Sequence, residues 1–201
     1  MTGSAQRGPH WAVFLGLAAG IVVADQVSKA IVAATLDPGE MVRIVGDLVR
    51  IIHGQNTGAL FGLFQSSAVL FAAASVVVVG VIVGFHARSG PSLSLSIALG
   101  LLLGGALGNL IDRVRLGYVL DFVDMGIGDW RFYTYNIADA AISTAIVALI
   151  VLAIWPGLGA AIDRAAGDRA ADGSTTPSDP GAPDDPVGPR PQRSGERTTD
   201  G

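Results

Sequence analysis

Two aspartates in apolar surroundings are the residues of this 201-residue chain best suited to chemistry. Asp121 lies in the segment VLDF, and Asp139 lies in YNIADAAI, where a long apolar run begins. A carboxylate in such surroundings is costly unless it is paired, neutralised or used. Two carboxyls at one site repel each other, so one pKa rises and the pair can share a proton. An ionised aspartate can then take a proton from water while a protonated one polarises a carbonyl, which is aspartic protease chemistry.

Other catalytic arrangements have less support in the sequence. The chain has no cysteine, which excludes disulfides, thiol catalysis and thiolate metal sites. Its three histidines, His10, His53 and His86, are widely separated and offer no Ser-His or Cys-His pair. Because no histidine lies near the two aspartates, we expect neither a metal ion nor another cofactor there.

The segment DQVSK in the first apolar run carries two charges. Asp25 and Lys29 are four residues apart, so on a helix they share a face and can pair. We favour a structural ion pair that lowers the cost of two charges near a membrane. Ionisable groups within a span are nevertheless candidates for a functional site.

The segment NTGALFG, residues 56–62, lies where polar sequence begins to give way to apolar sequence. Asn56 and Thr57 can cap a helix, and Gly58 permits close approach of the backbone. The segment is either a simple helix start or a place where the Asn56 amide binds a peptide substrate.

The segment GGALGNLIDR, residues 104–113, ends the third apolar run. Its glycines form a small-residue face for tight helix contact. It is not a nucleotide-binding loop, because it follows a membrane helix and lacks the lysine of a phosphate-binding loop. Asn109 lies at the membrane interface, and we interpret Asp112 and Arg113 as a helix-end salt bridge.

Membrane helices are the elements that must position these residues. Half of the chain is hydrophobic and only 15% is charged, which is too apolar for an ordinary soluble domain of this size. Four apolar runs approach the roughly 20 residues needed to cross a bilayer. We predict spans at about 11–33, 67–86, 92–112 and 138–158. The first run is too long for a signal peptide and lacks a clear cleavage site.

The predicted loops are unequal. A short turn joins the second and third spans, whereas loops of about 34–66 and 114–137 lie on the opposite face. Within the first long loop, EMVRIVGDLVRIIHGQNTG is either a β-hairpin on the membrane surface or an interfacial amphipathic segment. Residues 159–201 are rich in Pro, Gly, Asp and Arg, and we predict a disordered tail there.

Charge excludes some functions but does not fix the orientation. No basic patch points to a nucleic acid partner, and much of the acid behind the net charge of −4 lies in the tail. Lysine and arginine occur on both predicted faces, so the positive-inside rule does not decide the orientation. Asp124 and Asp129 in the second long loop are expected to be exposed acids without a role in the chemistry.

Taken in order, DQVSK, NTGALFG, GGALGNLIDR and the VLDF…YNIAD pair resemble the motifs of lipoprotein signal peptidase, also called signal peptidase II. The resemblance covers roughly residues 11–158, and the motifs together with four spans are highly specific. It implies an all-α polytopic membrane protein with four transmembrane helices and a small extracytoplasmic β-sheet element. A hairpin over residues 41–53 would belong to that sheet.

The resemblance also implies an activity. The family is an aspartic endopeptidase of the bacterial cytoplasmic membrane, and it removes the signal peptide of a prolipoprotein just before a cysteine that carries diacylglyceryl. Partners would be diacylglyceryl-modified prolipoproteins and membrane lipid, with no nucleic acid, and we expect a monomer. The termini, including residues 1–10, would be cytoplasmic, and the active site would face the extracytoplasmic side.

The resemblance assigns roles residue by residue. Asp121 and Asp139 match the catalytic pair. The residues that would line the site are Asn56, Gly58, Asn109, Arg113 and Asn136, and those that would support it are Asp25 and Lys29. One departure is WRFYTYNIAD, which lacks the usual proline and has Tyr135 where phenylalanine is usual. The departure concerns the loop over the site and not the catalytic residues.

Two other classes of protein compete with this interpretation. A small ion- or proton-coupled transporter would use Asp25, Asp121 and Asp139, but these carboxylates cluster near one face and mark no path through the bilayer. Broken inverted repeats are also not evident. A structural scaffold would explain the glycine faces but would leave the paired aspartates without a reason.

Overall fold

The structure, a computed structural model, describes residues 9–58 and 68–172 and has four helices long and apolar enough to cross a membrane. In chain order the elements are α1 (Trp11–Thr35), β1 (Met41–Val45), β2 (Val49–Asn56), α2 (Ala68–Arg88), α3 (Leu93–Leu116), β3 (Val119–Ile127), β4 (Trp130–Arg131), α4 (Ile137–Ile154) and α5 (Pro156–Asp172). The predicted class, four membrane helices with a small sheet, is confirmed. Residues 59–62 of NTGALFG and residues 173–201 of the predicted tail lie outside the described residues.

The helix ends follow local sequence signals. Ser92 caps α3 by accepting a hydrogen bond from a backbone N–H one turn on, and Gly117 ends it at φ 80°. Glycine adopts this left-handed conformation without strain. Asn136 caps α4, which ends at Trp155 because the following proline disfavours helical backbone there. That proline, Pro156, then occupies the first position of α5, where its missing N–H costs nothing.

α3 is the central helix, and α1, α2 and α4 all pack on it. The main apolar core lies among α1, α2 and α3 and consists of Phe14, Ala18, Ile82, Leu99, Leu103 and Ala106. A Cβ at Gly104 would lie 2.9 Å from the carbonyl oxygen of Ala18, and one at Gly105 would overlap the carbonyl oxygen of Ala138. The predicted small-residue face is therefore confirmed, and it brings α1 and α4 against α3.

Gly105→Ala should destabilise the protein by about 1–3 kcal/mol, the usual cost of overpacking. The added Cβ would overlap Ala138 and lie 2.6 Å from Ile142 Cγ1. Gly16→Ala is the matched control, since a Cβ there would meet nothing within 4 Å. That change should be neutral or stabilise by up to about 1 kcal/mol, because alanine is the better helix former. Thermal unfolding in detergent measures both, and equal unfolding temperatures would contradict the close contact of α3 with α4.

The four strands form one antiparallel sheet in the order β1-β2-β3-β4. Its first two strands confirm the hairpin interpretation of residues 41–53. Relative to β3, β2 has an extra residue between Ile51 and Gly54, which is a β-bulge. A Cβ at Gly54 would lie 2.8 Å from the carbonyl oxygen of Asp121. The bulge and the glycine thus let β2 approach β3 at this candidate catalytic residue.

Part of the predicted tail is helical. α5 covers Pro156–Asp172, whereas the composition indicated disorder from residue 159. Asp163 Oδ1 accepts a hydrogen bond at 2.9 Å from the backbone N–H of Ser94, in the first turn of α3. This contact with a distant helix stabilises α5, and composition alone does not reveal it.

Candidate active site

Asn136 connects the two candidate catalytic aspartates. It is fully buried at the start of α4, and its Nδ2 donates a hydrogen bond to Asp121 Oδ1 at 2.7 Å. Its backbone N–H donates to Asp139 Oδ2 at 3.2 Å, and its Oδ1 accepts from the Asp139 N–H at 2.9 Å. These last two bonds form a capping box. One residue therefore caps α4 and holds both carboxylates in one site.

Asn56 binds the other oxygen of Asp121. Asp121 is only 3% exposed, and its Oδ2 accepts a hydrogen bond from Asn56 Nδ2 at 2.9 Å. The Gly58 N–H donates to Asn56 Oδ1 at 2.9 Å and so fixes the orientation of this amide. Gly58 has φ 78°, and a Cβ there would lie 2.7 Å from the ring of Phe71. The backbone turn at this position therefore requires glycine.

Asn109 plays the corresponding part at Asp139. Its Nδ2 donates to Asp139 Oδ1 at 2.7 Å. Its Oδ1 accepts from Lys29 Nζ at 3.3 Å and from Asn136 Nδ2 at 3.1 Å. Because two donors face Oδ1, Nδ2 must point towards the carboxylate. One turn on, Arg113 donates to the carbonyl oxygen of Asn109 at 3.2 Å, so these predicted site residues are brought together.

A buried group of three charges lies behind the site. Lys29 Nζ is 2.8 Å from Asp25 Oδ2 and 2.8 Å from Asp112 Oδ2, and all three residues are buried. The predicted pairing of Asp25 with Lys29 is confirmed. The predicted salt bridge between Asp112 and Arg113 is wrong, since Asp112 pairs with Lys29. Adjacent helix residues do not face each other, so Asp112 turns towards α1 instead.

The two carboxylates of this group also bind the residue before each candidate catalytic aspartate. Asp112 Oδ2 accepts a hydrogen bond at 3.1 Å from the N–H of Leu120, which precedes Asp121. Asp25 Oδ1 accepts one at 3.0 Å from the N–H of Ala138, which precedes Asp139. Gln26 adds a bond from Nε2 to Asp112 Oδ1 at 2.9 Å. Neither Asp112 nor Gln26 was expected in the site, although they lie within the motifs GGALGNLIDR and DQVSK.

A second ionic network holds the sheet. Arg131 donates from Nε to Asp124 Oδ1 at 3.0 Å, and its Nη2 lies 2.8 Å from Asp124 Oδ2. Its Nη1 donates to the carbonyl oxygen of Asp47 at 2.6 Å, and a hydrogen bond from Arg50 lowers the pKa of the Asp47 carboxyl. The prediction that Asp124 is exposed is wrong, because strand pairing places it opposite Arg50. Asp129 is exposed as predicted.

Three cavities reach the two aspartates. One of about 890 Å³ lies between the sheet and α4 and reaches Asp139. Another of about 320 Å³ lies among α2, α3 and α4 and also reaches Asp139. A third of about 770 Å³ reaches Asp121 and Asn56 beside β2 and the loop after β4. A bound peptide and water can therefore approach the pair from different sides.

Burial raises the pKa of Asp121 to about 6. The charge of Asp139 contributes to this rise, whereas the hydrogen bonds from Asn56 and Asn136 oppose it. The folded protein therefore holds this proton more tightly than the unfolded chain, whose carboxyl has the ordinary pKa of 3.8. The resulting contribution to stability is present below about pH 4 and is lost as the pH rises through about 6.

As the pH rises, the unfolding temperature of Asp121→Asn should accordingly increase relative to that of the wild type. The variant has no carboxyl to ionise at this position, so between pH 4 and pH 7 it should gain roughly 5 °C relative to the wild type. Thermal unfolding in detergent across this range measures the difference. Asp129→Asn, which removes an exposed acid, should instead parallel the wild type. Parallel curves for Asp121→Asn would contradict the raised pKa.

Comparison with known proteins identifies the family. A family model described as signal peptidase (SPase) II matches residues 17–155. A lipoprotein signal peptidase of Dehalococcoides mccartyi (strain ATCC BAA-2266 / KCTC 15142 / 195) is 41% identical over 145 residues, which cover 70% of this chain and 88% of the relative. A lipoprotein signal peptidase of Geobacillus kaustophilus (strain HTA426) is 37% identical over 136 residues, which cover 67% of this chain and 88% of the relative.

Solved structures agree with this assignment. A bacterial membrane enzyme determined by the in meso method at 2.3 Å resolution is 28% identical, with a TM-score of 0.67 over 76% of this chain and 93% of the other. A second bacterial membrane enzyme structure, at 1.9 Å resolution, is 29% identical, with a TM-score of 0.68 over 74% of this chain and 96% of the other. The resemblance drawn from the motifs is thereby confirmed. The chain belongs to the signal peptidase II family and is a multi-pass membrane protease.

Proposed function

We propose that the chain removes the signal peptides of prolipoproteins as an aspartic endopeptidase, with Asp121 and Asp139 as the catalytic pair. Family membership supports signal peptide removal and disfavours the transporter interpretation. The observation that carries the aspartic assignment is the position of Asn136, which bonds both carboxylates, each of which is reached by a cavity. Asn56, Gly58, Asn109 and Arg113 complete the site, and the supporting residues are Asp25 and Lys29.

The chemistry requires one proton on the pair. Asp121, whose pKa is about 6, carries it and donates a hydrogen bond to the scissile carbonyl oxygen. Ionised Asp139 takes a proton from water, the water oxygen bonds to the carbonyl carbon, and the proton of Asp121 passes to the carbonyl oxygen. When the C–N bond breaks, the proton on Asp139 passes to the leaving nitrogen, and Asp121 recovers its own proton. Asn109 and Asn136 hold the carboxylates in place throughout.

The bond that is cut lies just before a cysteine carrying diacylglyceryl, at the extracytoplasmic face, and the enzyme acts as a monomer. Apolar side chains of the cavity of about 890 Å³, among them Leu48, Trp130 and Phe132, offer a suitable surface for an acyl chain. The sheet and the aspartates share one end of the helices, whereas α5 follows the other end of α4. This arrangement fits a site outside the membrane and a cytoplasmic C-terminal region.

A gel-shift cleavage assay on the purified protein in detergent tests the proposal. The substrates are a diacylglyceryl-modified prolipoprotein and the same precursor without lipid. We expect cleavage of the lipid-modified precursor only. Cleavage of both precursors would contradict the lipid requirement but would still support the peptidase activity. Cleavage of neither, by a folded protein, would contradict the proposed function.

A further inference from the structure

Helix α5 begins where the fourth span leaves the hydrocarbon core of the membrane. The 18 residues of α4 give it a length of about 27 Å, and the core is about 30 Å thick. The last residue of α4, Ile154, therefore lies near the membrane boundary. Pro156 then starts α5, which is not among the four helices apolar enough to cross a membrane. The proposed chemistry does not use this helix.

One side of α5 packs on the helix bundle. Gly159 is buried, and a Cβ there would lie 3.1 Å from Leu152 Cδ2 of α4 and 3.4 Å from Ser94 Oγ of α3. In a straight helix, residues seven positions apart lie about 10 Å apart along the axis, so the chain bends between α4 and α5. One turn after Gly159, Asp163 accepts its hydrogen bond from the Ser94 N–H. These contacts hold α5 against the end of α4 and the start of α3, level with the membrane boundary.

A second side of α5 is apolar and exposed. Leu158 and Ile162 are one turn apart and are 47% and 39% exposed. Trp155, which accepts a hydrogen bond from the Leu158 N–H at 3.0 Å, is 61% exposed. These residues directly follow Ile150 and Ile154, which are exposed apolar residues of the span itself. Tryptophan is enriched where a membrane meets water, so this side of α5 continues a surface that faces lipid.

The third side of α5 is polar or small. Ala160, Arg164 and Asp168 follow one another at intervals of four residues, and all three are exposed. Ala160 is two residues from both Leu158 and Ile162, or about 200° around the helix. The charged side therefore lies opposite the apolar one. A helix of this kind lies in the plane of the membrane interface, with its apolar side towards the acyl chains and its charged side towards water.

The C-terminal residues that follow α5 are poorly suited to cover its apolar side. The only large apolar residue of 173–201 is Val187, and the rest is rich in Pro, Gly and charged residues. We infer that α5 lies in the interface of the bilayer that the protein spans, with Trp155, Leu158 and Ile162 among the lipids. Because α5 is joined to both α3 and α4, the interface then fixes the depth of these two spans. This inference does not depend on the proposed activity.

Labels on opposite sides of α5 test the inference. The chain has no cysteine, so Ile162→Cys and its matched control Ala160→Cys each introduce a single thiol for a nitrobenzoxadiazole fluorophore. The full-length labelled proteins are placed in phosphatidylcholine vesicles. The first quencher is phosphatidylcholine that carries a nitroxide near its headgroup, and the second is iodide in the water. We expect the fluorophore at position 162 to lose more fluorescence to the nitroxide lipid, and the one at position 160 to lose more to iodide.

The result is interpreted for folded variants, which thermal unfolding in detergent identifies. Equal quenching of the two positions by the nitroxide lipid would overturn the inference, because α5 would then present no particular side to the membrane. Protection of position 162 from both quenchers would also overturn it. In that case protein would cover the apolar side, either a second copy of the chain or the residues after α5.

Discussion

Asp139→Asn should lower the rate of precursor cleavage by about 10³-fold or more, within the range that general acid–base catalysis contributes. The amide keeps the size of the side chain, and its oxygen can still accept the bond from the Asn136 N–H, so the cap of α4 survives. It cannot take a proton from water. Measuring kcat at saturating precursor in the gel-shift assay isolates this step. Asp121→Asn should cause a loss of similar size.

The control for both variants is Asp129→Asn, which neutralises an exposed acid of the same loop. It should cleave at the wild-type rate, and thermal unfolding should show that all three variants are folded. The proposed mechanism uses the two carboxyls as a unit, so the double variant should be little worse than either single one. A folded Asp139→Asn enzyme with wild-type kcat would remove Asp139 from the catalytic pair.

Lys29→Met should destabilise the protein by about 3–5 kcal/mol, the cost of leaving buried charges without their partner. Methionine approximates the length of the lysine stem but leaves Asp25 and Asp112 facing each other without a cation. These two carboxylates hold the residues before Asp121 and Asp139, so activity should fall together with stability. Thermal and denaturant unfolding in detergent measure the loss.

Arg43→Met is the matched control, because Arg43 forms an exposed pair with Asp47 at 3.5 Å. An exposed pair contributes little, so this change should cost less than about 1 kcal/mol. Adding Asp112→Asn to Lys29→Met should recover part of the lost stability, since it removes one of the uncompensated charges. If Lys29→Met is no less stable than Arg43→Met, the buried charges do not stabilise the fold.

Features within one element could be predicted from the sequence. The pairing of Asp25 with Lys29 follows from their helical spacing, and the glycine face of α3 follows from its own residues. The hairpin was one of two interpretations of its loop, and it rested on a turn at Gly46 between two segments rich in Val and Ile. In each case the partners are close along the chain, so local geometry determines the contact.

Features that join distant elements could not be predicted in this way. Lys29 binds Asp112 across two helices, and Asp124 is buried because sheet pairing brings it to Arg50 and Arg131. The helix α5 depends on the contact of Asp163 with the start of α3. The bridging position of Asn136 likewise depends on β3 meeting α4. Each contact follows from the arrangement of whole elements, and a single sequence does not encode that arrangement in any short segment.

The hydrogen bond from the Ala138 N–H to Asp25 joins the first span to the last. During synthesis α1 is made long before α4, and in that interval Asp25 has Lys29 within its own helix as a counter-charge. Asp139 arrives only with the last span. On the proposed assignment, a partly made chain cannot cut anything in the membrane, and hydrolysis begins only once the final helix has been inserted.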